Sequence, residues 1–125
     1  MNVLIDTSIW IAYFRGEGGV ARLDRLLDEG LAATNDLILA ELIPHLEMRK
    51  QSKLIELLRV LRRIPLPIDW DDIVRMQLTC LLNGINGIGI PDLIIAQNAV
   101  KHQIVFYTLD RHFQLIARHM HLVLF

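Results

Sequence analysis

Three consecutive β-forming residues, Val3-Leu4-Ile5, run directly into a carboxylate, Asp6, followed by Thr7 and Ser8. A strand that is apolar at every position has no face to give to water, so it belongs in the middle of a sheet covered by helices. An acid at its carboxyl end then sits at the rim of a buried sheet, where open α/β sheets hold their ligands.

The remainder of the chain alternates strand-like and helix-like segments, the pattern of an α/β unit with a parallel sheet. The spacing predicts a short helix over 8–14 and a glycine-rich turn over 16–19. An amphipathic helix then carries Val20, Leu23, Leu26 and Leu27 and stops at Gly30. A second strand over 31–34 leads to a helix capped by Asn35 or Asp36, which Pro44 should bend or break. A basic amphipathic helix over 51–63 precedes a third strand over 64–68, confined to a sheet edge by Pro65 and Pro67. Helices over 69–83 and 92–102 flank a glycine-rich loop at 84–89, and Pro91 suits the first turn of the second. A strand over 104–108, a helix over 113–120 and a last strand over 122–125 complete the chain. Five strands joined by right-handed crossovers give an α/β fold, a three-layer α/β/α sandwich. With the proline-bearing strand at an edge and the most apolar one central, the five-stranded parallel sheet takes the order 3-2-1-4-5. That order brings Asp6 and Asp110, at the ends of the first and fourth strands, to the same switch point.

At 125 residues and 53% hydrophobic content, residues 1–125 can form a single domain around one core. A single cysteine, Cys80, leaves no internal disulfide and fits a reducing compartment. The apolar runs are too short for a membrane span, and Asp6 and Glu17 spoil a secretion signal, so the expected location is cytoplasmic. A net charge of −1 excludes a generally basic coat, so a polyanion would have to be met by a local patch or through metal ions.

Of the 14 acidic residues, Asp6, Glu41, Asp92 and Asp110 stand within or at the ends of apolar runs. Burying several carboxylates together is costly unless a cation joins them. Oxygen ligands suit Mg²⁺ or Mn²⁺, and such an ion can polarise a phosphoryl oxygen and activate water. Each acid also has a plainer reading: Asp92 in a helix's first turn, Asp110 as a helix cap, Glu41 in an ion pair, and Asp6 as an acid that many α/β folds carry at that place.

Four segments together resemble the PIN-domain ribonucleases, and specifically the toxins of VapBC-type toxin-antitoxin pairs. They are the run from Val3 to Trp10, Glu41 within Leu39-Ala40-Glu41-Leu42, the run from Ile90 to Ala96 around Asp92, and Thr108-Leu109-Asp110-Arg111-His112-Phe113. The resemblance implies a metal-dependent endonuclease acting on single-stranded RNA. Its Mg²⁺ or Mn²⁺ would be held by the acids at Asp6, Glu41, Asp92 and Asp110, with the hydroxyls of Thr108 and Ser8 ordering them. Glu41 would hold a water of that ion or a second ion. It further implies a homodimer and a cognate antitoxin protein as partner. This chain departs from many members in carrying His112 where they have another Asp; His112 then becomes a candidate substrate contact.

Other features weigh less. The loop from Gly84 to Gly89 lacks the Lys and hydroxyl of a phosphate-binding loop and is expected to form a mobile rim. His119 and His121 have no third ligand at zinc spacing, and Cys80 fits the helical apolar pattern. Arg59, Arg62 and Arg63 belong to the one basic run and are candidates for RNA phosphate contacts. Two other readings stay open, a phospho-receiver-like domain and a non-catalytic RNA- or protein-binding module. The first usually needs a second acid beside Asp6 and a late lysine, whereas Thr7 follows Asp6 and the last strand ends at Phe125 without a lysine.

Overall fold

The computed structural model describes all residues from Met1 to Phe125. Its parallel sheet has four strands in the order β3-β2-β1-β4. β1 (Val3–Ile5) lies between β2 (Ala32–Thr34) and β4 (Val105–Tyr107), while β3 (Arg62–Arg63) forms an edge beside β2. Seven helices accompany it: α1 (Thr7–Phe14), α2 (Ala21–Asp28), α3 (Asp36–Met48), α4 (Ser52–Val60), α5 (Trp70–Leu82), α6 (Ile90–Lys101) and α7 (Arg111–His119).

Val3, Leu4 and Ile5 are all fully buried, as a strand without a solvent face must be. Their side chains divide between two cores because successive strand residues point to opposite faces. Leu4, Ala33 and Phe106 join the layer built by α5, α6 and α7. Val3, Ile5 and Tyr107 join the layer built by α1, α2, α3 and α4. The expected three-layer sandwich is therefore present, and no helix is long and apolar enough to cross a membrane.

Several expectations need correction. The fifth strand is reduced to one bridge, Phe106 to Leu124. Phe106 donates to the Val123 carbonyl at 2.9 Å and accepts from the Phe125 amide at 2.8 Å, so the C-terminal segment crosses β4 at one residue only. The third strand lies at Arg62–Arg63 rather than over 64–68. Its ladder ends where the Ile64 amide donates to Thr34 at 2.8 Å, because the partner strand leaves the sheet at Asn35, the cap of α3. Pro44 does not break α3, which runs unbroken through it. The N–H it lacks would have met Ala40, and both residues face water, which can hydrate the freed carbonyl. In the glycine-rich loop Ile85 and Ile88 are buried in the core, while Gly84, Asn86, Gly87 and Gly89 face water.

Candidate metal centre

The pairing of Ile5 with Tyr107 sets Asp6 and Thr108 side by side at the carboxyl ends of neighbouring strands. Asp6 donates its backbone N–H to the Tyr107 carbonyl at 2.9 Å, which fixes where its side chain begins. That side chain is buried, and one of its oxygens, Oδ2, accepts hydrogen bonds from Thr108 Oγ1 at 2.7 Å and Ser8 Oγ at 2.8 Å. The two hydroxyls are themselves held, since Leu109 donates its amide to Ser8 Oγ and Asp110 donates its amide to Thr108 Oγ1. Asp6 Oδ1 keeps only a 3.5 Å contact with Thr7 and is the oxygen left over for a ligand. Burial raises the Asp6 carboxyl above its ordinary pKa despite these hydroxyl bonds, and the charge of Asp110 adds to the shift.

The other acids arrive from helix starts. Asp110 is the N-cap of α7 and accepts from the His112 amide at 2.9 Å, so its structural role as a cap is real. Asp92 lies in the first turn of α6, where the helix dipole favours a negative charge. Burial still pushes its pKa up, as do the charges of Asp110 and Asp6, while His112 opposes the shift. Glu41 sits in the second turn of α3. It is not surrounded by apolar contacts, because Ala40, Glu41, Pro44 and His45 form an exposed stripe that the all-apolar composition of this stretch concealed. Partial desolvation, then the charges of Asp92 and Asp6, raise its pKa as well. Thus all four acids share one electrostatic neighbourhood.

They do not share one set of bonding distances. Asp92, Asp110 and His112 each offer a ligand atom, and these atoms lie within 4.8 Å of one another. Asp6 and Glu41 fall outside that tight group. No Lys or Arg pairs with any of the four acids; the only ionic contact among them is His112 with Asp110 at 3.7 Å. Burial, and after it the charges of neighbouring acids, raise the pKa values of Asp6, Glu41 and Asp92 with no Lys or Arg to offset them; that is the chemistry of a divalent-cation site, and the oxygen donors fit Mg²⁺ or Mn²⁺.

Over residues 3–119 the sequence matches the family described as PIN domain. The chain belongs to the PIN domain family. None of the curated proteins matches the sequence. Among solved structures, the PIN chain is similar to that of VapBC2 from Rickettsia felis bound to a DNA fragment from its promoter, at TM-score 0.77 and 22% identity, covering 100% of this chain and 98% of that one. VapBC-1 from nontypeable Haemophilus influenzae is similar at TM-score 0.71 and 22% identity, covering 100% and 97%. VapC20 from Mycobacterium tuberculosis, described as a sarcin-ricin loop cleaving toxin, is similar at TM-score 0.59 and 21% identity, covering 91% and 94%. At these identities the likeness is one of fold. The PIN assignment displaces the phospho-receiver reading.

Two groups of residues stand differently from their sequence expectation. Arg62 and Arg63 pair with Ala33 and Thr34 on β2 and also line a shallow cavity with Met1, Asn2, His102 and Gln103. Arg63 also pairs with Asp36 at 3.4 Å, at the start of α3, and Arg59 is exposed on α4. Sequence reasoning passed over Asn35 and Asn98 as a pair. Asn35 Oδ1 caps α3 at the Ile38 amide, 2.9 Å away. Its Nδ2 donates to Asn98 Oδ1 at 2.9 Å, and Asn98 Nδ2 donates to the Pro65 carbonyl at 2.8 Å. This buried chain joins α3 to α6, the helices that carry Glu41 and Asp92. The signal was a pair of amides, Gln97 and Asn98, inside the otherwise apolar run from Leu93 to Ala99.

Proposed function

We propose that residues 1–125 form one cytoplasmic nuclease domain that hydrolyses phosphodiester bonds in single-stranded RNA with a divalent metal ion, as the toxin of a VapBC-type pair. The observation that carries this reading is the convergence of Asp6, Glu41, Asp92 and Asp110 on one end of the sheet with no Lys or Arg among them. The fold likeness to VapC20, a sarcin-ricin loop cleaving toxin, supports RNA as the substrate class.

When bound, Mg²⁺ or Mn²⁺ would neutralise phosphoryl oxygens and make water a better nucleophile. Asp92 and Asp110 would hold that ion, together with Asp6 through Oδ1. Ser8 and Thr108 hold Asp6 Oδ2 by hydrogen bonds and so fix the direction in which Oδ1 points. Glu41, more exposed than the other acids and with its pKa raised, is suited to take the proton of the attacking water at its carboxylate.

Partners follow from surface chemistry. A groove lined by Ile11, Phe14, Leu42, Leu46 and Leu54 beside Arg15 and Arg49 would accept the apolar face of an acidic antitoxin helix. Exposed Trp70, Val74, Leu78 and Leu81 make an apolar face on α5 that would pair with a second copy in a homodimer.

The test is cleavage of labelled single-stranded RNA by the purified chain with Mg²⁺ or Mn²⁺. Asp6→Asn is expected to abolish cleavage with an unchanged circular dichroism spectrum. Full activity in protein stripped of metal by EDTA refutes the metal mechanism. Metal binding without cleavage of any RNA favours the non-catalytic binding module instead.

A further inference from the structure

His112 is the residue at which this chain departs from the acid expected there, and the structure gives it a defined position. Asp110 caps α7 by accepting the His112 amide at 2.9 Å, which holds the backbone of His112 beside that carboxylate. Its Nδ1 lies 3.7 Å from Asp110 Oδ1. One of its ring nitrogens belongs to the group of three ligand atoms, with Asp92 and Asp110, that lie within 4.8 Å of one another. The ring is about two-fifths exposed and engages no other side chain as a hydrogen-bond partner, which leaves it free to turn a nitrogen toward a shared ion.

The geometry points to His112 as a nitrogen ligand of the ion held by Asp92 and Asp110, making this site selective for first-row transition ions over Mg²⁺. This rests on the metal-centre reading above and sharpens it. Mg²⁺ is a hard ion that demands oxygen donors and gives up its waters reluctantly. Imidazole suits softer divalent ions, and their affinities at mixed nitrogen and oxygen sites rise from Mn²⁺ along the first row. A neutral imidazole in place of a carboxylate also removes one negative charge from the site, which weakens the purely electrostatic hold on Mg²⁺. Mn²⁺, the weakest nitrogen binder of that row, is therefore the most demanding probe.

The experiment compares the wild-type chain with His112→Asp and His112→Ala. Titration calorimetry measures Mn²⁺ and Mg²⁺ affinities, and pulsed electron paramagnetic resonance of the Mn²⁺ form looks for coupling to a ligand ¹⁴N. The expected result is ¹⁴N coupling in the wild type that disappears in His112→Ala, and an Mn²⁺-to-Mg²⁺ affinity ratio that falls about tenfold in His112→Asp. Mn²⁺ bound without ¹⁴N coupling, or an unchanged ratio in His112→Asp, overturns the assignment of His112 while leaving the metal centre standing. No Mn²⁺ binding to any of the three proteins overturns the metal centre itself.

Discussion

The amide pair beneath the acids offers a perturbation whose size can be worked out from its bonds. Asn98→Leu keeps the branched shape of a buried side chain but removes both of its hydrogen bonds, stranding Asn35 Nδ2 and the Pro65 carbonyl in the core. Each stranded buried group costs about 1–3 kcal/mol, and the better burial of Leu returns part of that, so the expected loss is about 3 kcal/mol. For a chain of this length such a loss lowers Tm by about 10 °C. Asn35→Ala should cost about 2 kcal/mol, combining the loss of the α3 cap with an unpaired Asn98 Oδ1. The double variant should then be less destabilised than the sum of the two, because the second change removes a partner that the first has already stranded. Urea denaturation followed by circular dichroism measures all three variants. Calorimetry should also find metal affinity weakened in Asn98→Leu, since α3 and α6 would no longer hold Glu41 and Asp92 in one register. A loss below about 0.5 kcal/mol, as at an ordinary surface position, or strict additivity in the double variant, would refute the reasoning.

Metal and protons should compete at the site. Asp6, Glu41 and Asp92 have raised pKa values in the folded chain, so the folded state binds their protons more tightly than the unfolded state does. Their contribution to metal-free stability is therefore greatest at low pH and declines as pH rises from about 4 through the folded values. The rise in Tm on adding Mn²⁺ should be larger at pH 8 than at pH 5, and the difference should shrink in Asp6→Asn; a pH-independent rise contradicts this. Cys80 is buried and its thiol is pushed up in pKa by that burial, so a disulfide reagent should label it slowly in the native protein and completely in denaturant. Leu78→Glu should convert a dimer into a monomer of unchanged fold in analytical ultracentrifugation, whereas a wild-type chain that is monomeric at tens of micromolar would remove the α5 interface.

The sequence made the centre of the fold legible because it was written in side chains with a single use. Val3, Leu4 and Ile5 could only be buried, and the strand they form does place Asp6 beside the end of β4. The edges were less legible. At the third strand proline marked the correct edge of the sheet, but the pairing stops before Pro65, so the ladder lies two residues upstream of the apolar run that suggested it. Glu41 looked like a charge needing a partner because composition does not reveal which helical face packs. Ala40 and Pro44, apolar in name, are among the residues that face water beside it. The tie between Asn35 and Asn98 spans 63 positions, and no local pattern encodes a bond between two amides so far apart.

The bond from Thr108 to Asp6 joins residues 102 positions apart, and β1 remains without its β4 neighbour until the chain has been made past Tyr107. During synthesis the first acid therefore exists long before the groups that orient it. At about 5–20 residues per second, the ribosome needs roughly 5–20 seconds to bring the two ends of this site into being. A growing chain therefore cannot carry an assembled centre until Thr108 and Asp110 have followed Asp6 out of the ribosome. A truncation anywhere upstream of Thr108 would yield a protein without the site rather than a deregulated one.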